Sequence, residues 1–141
     1  MKMNFHPDKC HVLHLGQSNP QNIYHMNNAS GNIHMLDVVT FEKDLGVTID
    51  HQLNFSDHIE NAVKKANRVL GCLARTFRHL NKDTFLLLYK AMVRPHLEYA
   101  SCVWCPHLKK NRDLIEQVQR RATRLEPETK GLSYNSRLIE S

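Results

Sequence analysis

No apolar run in the 141 residues approaches the roughly 20 that a membrane-spanning helix needs. The first ten residues, Met1 to Cys10, are polar and contain Pro7 and Asp8. They lack the apolar stretch of a secretory leader. The expectation is therefore a soluble protein of a reducing compartment, in which the four cysteines are free thiols. Internal repeats and low-complexity tracts are missing. So are the motifs of several enzyme classes: a G-x-S-x-G elbow, a glycine-rich phosphate loop ending in Lys-Ser/Thr, and H-E-x-x-H. Asp37, Asp44 and Asp50 occur singly among strand and turn residues and read as turn or solvated positions. Two-metal phosphoryl transfer instead needs carboxylates converging on ions about 4 Å apart.

What is present is one domain's worth of chain, 41% hydrophobic and 23% charged, enough to bury a core. Its charge is uneven. Residues 1–50 carry a net −2 and residues 51–141 a net +7. A localised basic excess points to a polyanionic partner, nucleic acid before membrane; a merely solvated surface is the competing reading.

The chain changes character near Asn54. Upstream, Val12–Leu15, Ile33–Leu36, Val38–Phe41 and Leu45–Ile49 are short apolar or β-branched runs. Turn residues such as Gly16, Asn19-Pro20 and Asn27–Asn32 separate them. The connections are too short for helical crossovers, so four or five antiparallel strands are expected over residues 1–53. Downstream, over 54–141, the period becomes helical. Ser56 reads as a cap, and Ile59, Val63, Ala66, Leu70, Leu73 and Phe77 form one apolar stripe. Lys64, Arg68, Arg75 and Arg78 fall nearly opposite it, and Lys65 also lies off it. A second helix capped by Asn81 is apolar nearly all round and is expected to be the most buried. Pro95 suits the first turn of a third helix over His96–Trp104. A fourth is expected over Asn111–Leu125, with Leu114, Ile115, Val118, Ala122 and Leu125 inward and Arg120 and Arg124 outward. Ser133-Tyr134 looks like the start of another. The fold class is α+β: short antiparallel strands, then a helical bundle.

Two clusters invite a metal reading. Cys102-Val-Trp-Cys105 is flanked by His96 and His107, but its loop carries a bulky pair and no glycine. The plainer reading makes both cysteines small buried residues beside Trp104. Cys10, His11 and His14 cannot converge from one strand, because His11 points away from the other two. The exposed cations Lys64, Arg68, Arg75, Arg78, Arg120 and Arg124 are the stronger signal, suited to a nucleic-acid backbone, where charge sets affinity but not sequence.

Taken in order, several segments resemble one family. They are Met3-Asn4-Phe5-His6-Pro7-Asp8-Lys9-Cys10, Val12-Leu13-His14-Leu15-Gly16, Glu42–Asp50 and Leu53–Ile59. Val63–Arg68, Leu86–Tyr99, Val103-Trp104, Pro106–Lys110 and Gln117–Thr123 complete the set. The pattern is similar to the reverse transcriptases of non-LTR retrotransposons, jockey-like and related elements, and covers nearly the whole chain. The resemblance implies that the strands are the end of the palm with a primer-grip hairpin, Leu15 and Gly16 in or near that grip. It implies that the helices are a thumb holding template–primer duplex through Lys64, Lys65, Arg68, Arg75, Arg78, Arg120 and Arg124. The family's paired catalytic aspartates, which hold Mg2+, precede these blocks, and this sequence contains no Asp-Asp dipeptide. The implication is a piece of an RNA-directed DNA polymerase, cut at both ends. It would not be an enzyme on its own, and would have no cofactor, no small-molecule substrate and weak duplex binding at most. Cys105 and the acidic Glu126-Pro127-Glu128 depart from the pattern. The alternatives are a small zinc-binding or protein-interaction module, or a product without a selected function.

Overall fold

In the second half of the chain, apolar side chains recur every three or four residues, and helices form where that stripe can be covered. The computed structural model describes residues 6–27, 30–76 and 81–125. The architecture is α+β, with short strands first and helices after them. The chain divides into two compact units at Phe55/Ser56, against the 53/54 boundary expected.

The first unit contains a 3-10 turn at Pro7–Lys9 and six short strands: β1 (His11–Leu13), β2 (His25–Asn27), β3 (Ile33–Met35), β4 (Asp37–Val39), β5 (Phe41–Asp44) and β6 (Val47–Asp50). β2–β3 and β5–β6 pair antiparallel, as expected for close neighbours in the chain. β1 and β4 pair parallel, with His11 opposite Asp37. The reason is that the long stretch between them contains the β2–β3 pair, which brings the chain back in its original direction.

The β5–β6 hairpin corrects the strand expected to start at Leu45. Asp44 pairs with Val47, leaving Leu45 and Gly46 as a two-residue turn with φ of 45° and 85°. Two positive φ values match the right-handed twist of the flanking strands. Glycine adopts this geometry freely, but leucine does not, and Leu45 is 84% exposed. Past β6, the Asp50 carboxylate accepts from the backbone N–H of Asn54 at 2.8 Å. It thereby holds a loop in which Leu53 and Phe55 also have positive φ. The core of this unit is thin: among its described residues only Pro7 and Val47 are buried. Ile33, Met35, Val38 and Phe41 are exposed.

The second unit has the better core. Helix α1 (Ser56–Thr76) buries Ile59, Ala62, Val63, Ala66, Leu70 and Leu73, the expected stripe with Ala62 added. Phe77 lies outside the described residues, as does the helix start expected at Ser133-Tyr134. Ser56 is the first residue of the helix, and its Oγ accepts a hydrogen bond from Asn111 Nδ2 at 3.2 Å. Helix α2 (Lys82–Leu88) is capped as expected, with Asn81 Oδ1 accepting from the N–H of Thr84 at 2.9 Å.

α2 is nevertheless not the most buried helix. Phe85 is its one buried residue, and Leu87 is 67% exposed. The chain continues through a π-helical turn, Tyr89–Val93, into α3 (Arg94–Glu98). The extra residue in that turn resets the helical phase. Val93 and Leu97 are buried with Phe85, whereas Met92 is exposed. An apolar run says nothing of such a reset.

The third helix, expected as one piece, is two. Tyr99 ends α3, and Ala100 takes the left-handed conformation, φ 53°. α4 (Ser101–Trp104) then starts in a new direction. Trp104 is buried, and its Nε1 donates to the carbonyl of Tyr99 at 2.6 Å, which closes the break. Helix α5 (Lys109–Leu125) buries Val118 and Ala122 on the expected side, with Leu114, Ile115 and Leu125 half-buried.

Candidate nucleic-acid interface

Among the described residues, the candidate contact cations lie on α1 and α5, while Lys82, Lys90 and Arg94 sit on α2, the π turn and α3; the packing of α1 and α5 decides whether the candidates form one surface. Asn111 Nδ2 donates to Ser56 Oγ across a separation of 55 residues. Arg121 Nη1 donates to Asn67 Oδ1, at 3.1 Å, across 54 residues. A near-constant offset means that α1 and α5 run parallel, side by side. Parallel macrodipoles repel, so apolar burial must supply the attraction. Ile59, Ala66 and Leu70 on α1 and Val118 on α5 are all 0% exposed.

The azimuths follow from 100° per residue. On α1, Lys64, Arg68 and Arg75 fall within about 40° of one another, beside the strip occupied by Asn67 and Gly71. On α5, Arg124 lies about 60° outward from Arg121, and Arg120 lies further round. Arg121 sits at the seam. Its Nη2 is 3.6 Å from where a Cβ on Gly71 would be. Gln119, on the opposite side of α5 from Arg121, lines a groove of about 360 Å³ with Leu86, Tyr89, Arg94 and Leu97. α1 and α5 thus form a layer with α2, the π turn and α3 on one side. Lys64, Arg68, Arg75 and Arg124 are exposed on the other.

The charges on this face are not equally available. Lys64 Nζ is 3.8 Å from Glu60 Oε2, and Arg120 Nη2 is 3.0 Å from Glu116 Oε1. Both are exposed pairs one helical turn apart, worth roughly 0.3–0.5 kcal/mol each. Arg68, Arg75 and Arg124 form no ion pair among the described residues. Arg75 and Arg124 also occupy the last turns of their helices, where a cation complements the dipole. Lys65 is exposed but stands off the ridge, on the side of His58. That imidazole is buried against Trp104, with ring centroids 5.4 Å apart. Burial pushes its pKa below 6.5, and the Lys65 charge pushes it the same way. Arg78 lies outside the described residues.

Leu15 and Gly16 belong to the first unit, on the loop that follows β1, and both are exposed. Gly16 has φ 82°, and its N–H donates to the carbonyl of His51 at 2.9 Å. A Cβ there would meet nothing within 4 Å, so backbone conformation alone favours glycine at this position.

The cysteine readings need correction. Cys102 and Cys105 are exposed rather than buried; Trp104 between them carries the burial. His11 Nδ1 is 2.9 Å from Glu42 Oε2, while His14 stands against Tyr24. Among the described residues, no three His, Cys, Asp or Glu side chains come together closely enough to hold a metal ion. No described helix is long and apolar enough to cross a membrane.

Sequence reasoning missed Arg121 and His58. Arg121 stands between Arg120 and Ala122 in a run whose composition does not say which arginine meets α1. Only its azimuth, between the apolar side and the exposed arginines, was available as a signal. His58 lies next to Ile59 at the edge of the apolar stripe, which was a sufficient cue.

No family model matches the sequence. No solved structure matches the chain. Among curated proteins, the chain is similar to an uncharacterized protein of Caenorhabditis elegans, 32% identical over 101 residues. The match takes in 70% of this chain and 51% of that protein, so the chain spans about half the length of the curated relative.

Proposed function

We propose that this chain is the end-of-palm and thumb part of a non-LTR retrotransposon reverse transcriptase. In this reading the helical unit grips the sugar–phosphate backbone of a template–primer duplex and carries out no chemistry itself. The observation that carries the proposal is the parallel packing of α1 against α5, which joins two basic ridges into one exposed face. Solvated basic helices have no need to share a side. Arg68, Arg75 and Arg124, which have no carboxylate partner among the described residues, supply a contact with phosphates that is indifferent to sequence. The ordered blocks of resemblance along the chain support the family. The absence of an Asp-Asp pair from the sequence supports a non-catalytic part.

Affinity of the full chain for an RNA–DNA hybrid, measured at 50 and 200 mM salt, tests the reading. If about four phosphates are neutralised, the slope of log K against log salt is about −3.6, and affinity falls roughly 150-fold over that range. Arg68→Gln and Arg124→Gln should each weaken binding and reduce the slope by about one. A flat salt response, or two variants that bind like the parent, would refute the basic-face model. Primer extension with template, Mg2+ and nucleotides should give no product; incorporation above a no-protein blank would overturn the non-catalytic reading.

A further inference from the structure

Within the proposed interface, we infer that Arg121 is a phosphate-binding residue. Asn67 of α1 holds it in place as it passes over Gly71, and it forms one anion site with Arg68 and Arg124. The inference rests on the nucleic-acid reading and goes beyond it by naming a residue, its positioning partner and the group it binds.

Three observations converge on the seam. The first is orientation. Arg121 Nη1 donates to Asn67 Oδ1 at 3.1 Å, which uses one of the five N–H donors of the guanidinium and ties that end of it to α1. The residue is still exposed, so the remaining edge faces solvent. The second is space. Gly71 sits in the interior of α1, where glycine costs about 1 kcal/mol relative to alanine. Its φ is not positive, so backbone conformation does not explain it. A Cβ there would stand 3.6 Å from Arg121 Nη2, an ordinary contact, so the guanidinium crosses this position with room for a methyl group but not for a longer side chain. The third is company. With a register of 54–55 residues and a 1.5 Å rise, Arg68, Arg121 and Arg124 lie within about 5 Å of one another along the helix axes. Among the described residues, none of the three has a carboxylate counter-ion. Three guanidinium groups that repel one another around an exposed seam are stabilised when an anion is shared between them. A planar fork held at one end suits bidentate recognition of a backbone phosphate.

Lys64 and Arg120 flank this cluster, each held by a glutamate on its own helix. Arg121 is therefore the cation whose direction α1 sets, and the one through which helix packing and anion binding are coupled.

The test uses the full chain and a fluorescent 16-base-pair RNA–DNA hybrid at several salt concentrations, with a thermal melt of every variant. Arg121→Gln should weaken binding about five- to tenfold at moderate salt and lower the salt slope by about one. Gly71→Leu leaves the net charge unchanged but fills the space that Arg121 crosses, and should weaken binding by at least threefold. Gly71→Ala places its Cβ at an ordinary contact distance. It should bind like the parent while melting at a higher temperature. Arg121→Lys keeps the charge without the fork and should fall between the parent and Arg121→Gln. If Arg121→Gln and Gly71→Leu bind like the parent while Arg68→Gln is weakened, the assignment of Arg121 is wrong and the basic-face reading stands. If the parent shows no salt-dependent binding, both fall together.

Discussion

Replacing Trp104 with phenylalanine tests how the helical unit is held together. Trp104 is 2% exposed and is the single tryptophan of the chain. It stacks at a tilt on His58 of α1, and its Nε1 donates to the Tyr99 carbonyl at 2.6 Å. This one side chain therefore both closes the α3–α4 break and fastens α4 to the start of α1. Phenylalanine keeps an aromatic ring against His58 but removes the hydrogen bond, a net loss of about 1 kcal/mol. The smaller ring also leaves a void. Complete truncation of a buried tryptophan costs roughly 3–5 kcal/mol, so the lost part of the ring accounts for about another 1–2 kcal/mol. The sum is about 2–3 kcal/mol. At 4–8 °C per kcal/mol for a domain of this size, Tm should fall by roughly 10–20 °C.

Far-UV circular dichroism is the appropriate measurement, because the variant has no tryptophan to report fluorescence. Trp104→Ala should fall further still. Ala100→Gly should move the other way, by up to about 1 kcal/mol, because glycine accepts the φ of 53° without a Cβ clash. A Trp104→Phe melt within about 3 °C of the parent would show that the tryptophan does not bear the α1–α4 packing, and would refute the reasoning.

Two further outcomes are expected. The folded state holds the pKa of His58 below 6.5, while the unfolded chain keeps the ordinary value. The unfolded state therefore takes up the proton first. The contribution of His58 to stability is complete above the unfolded pKa and is lost as pH falls through it, until the folded group also protonates. The urea midpoint should drop between pH 7.5 and pH 5.5, and His58→Gln should remove that part of the drop; an equal drop in the variant would count against this assignment. In the first unit, Leu45→Asn gives the β5–β6 turn the Asn-Gly pair that positive φ at both positions favours. It should stabilise the hairpin by roughly 1 kcal/mol, seen as slower exchange of the Phe41–Asp50 amides. Faster exchange would show that the leucine makes a stabilising contact.

Much of the helical unit was legible in sequence because α1 and α5 each place one continuous apolar stripe opposite a charged face. That periodicity is a one-dimensional record of a two-sided environment. Asn81 was legible for an equally local reason: an amide side chain at the start of a helix meets the first free N–H groups. The break at Ala100 was not legible, because alanine carries no mark of a left-handed φ and is ordinarily a strong helix former. The π turn after α2 was hidden too, so the side of Leu87 and Met92 that faces outward could not be read from an apolar run.

For the basic face, sequence alone determined which side of each helix carries cations, since azimuth follows from residue number. It could not determine whether those sides coincide, because that depends on the register and direction of two helices some 50 residues apart. Tertiary packing decided this by pairing Ser56 with Asn111 and Asn67 with Arg121. Those contacts align α1 and α5 and turn one of three neighbouring arginines into the seam. The physical reason is that a helix sets the angles of its own side chains through local backbone bonds, whereas its position beside another helix is set by contacts between residues far apart in the chain.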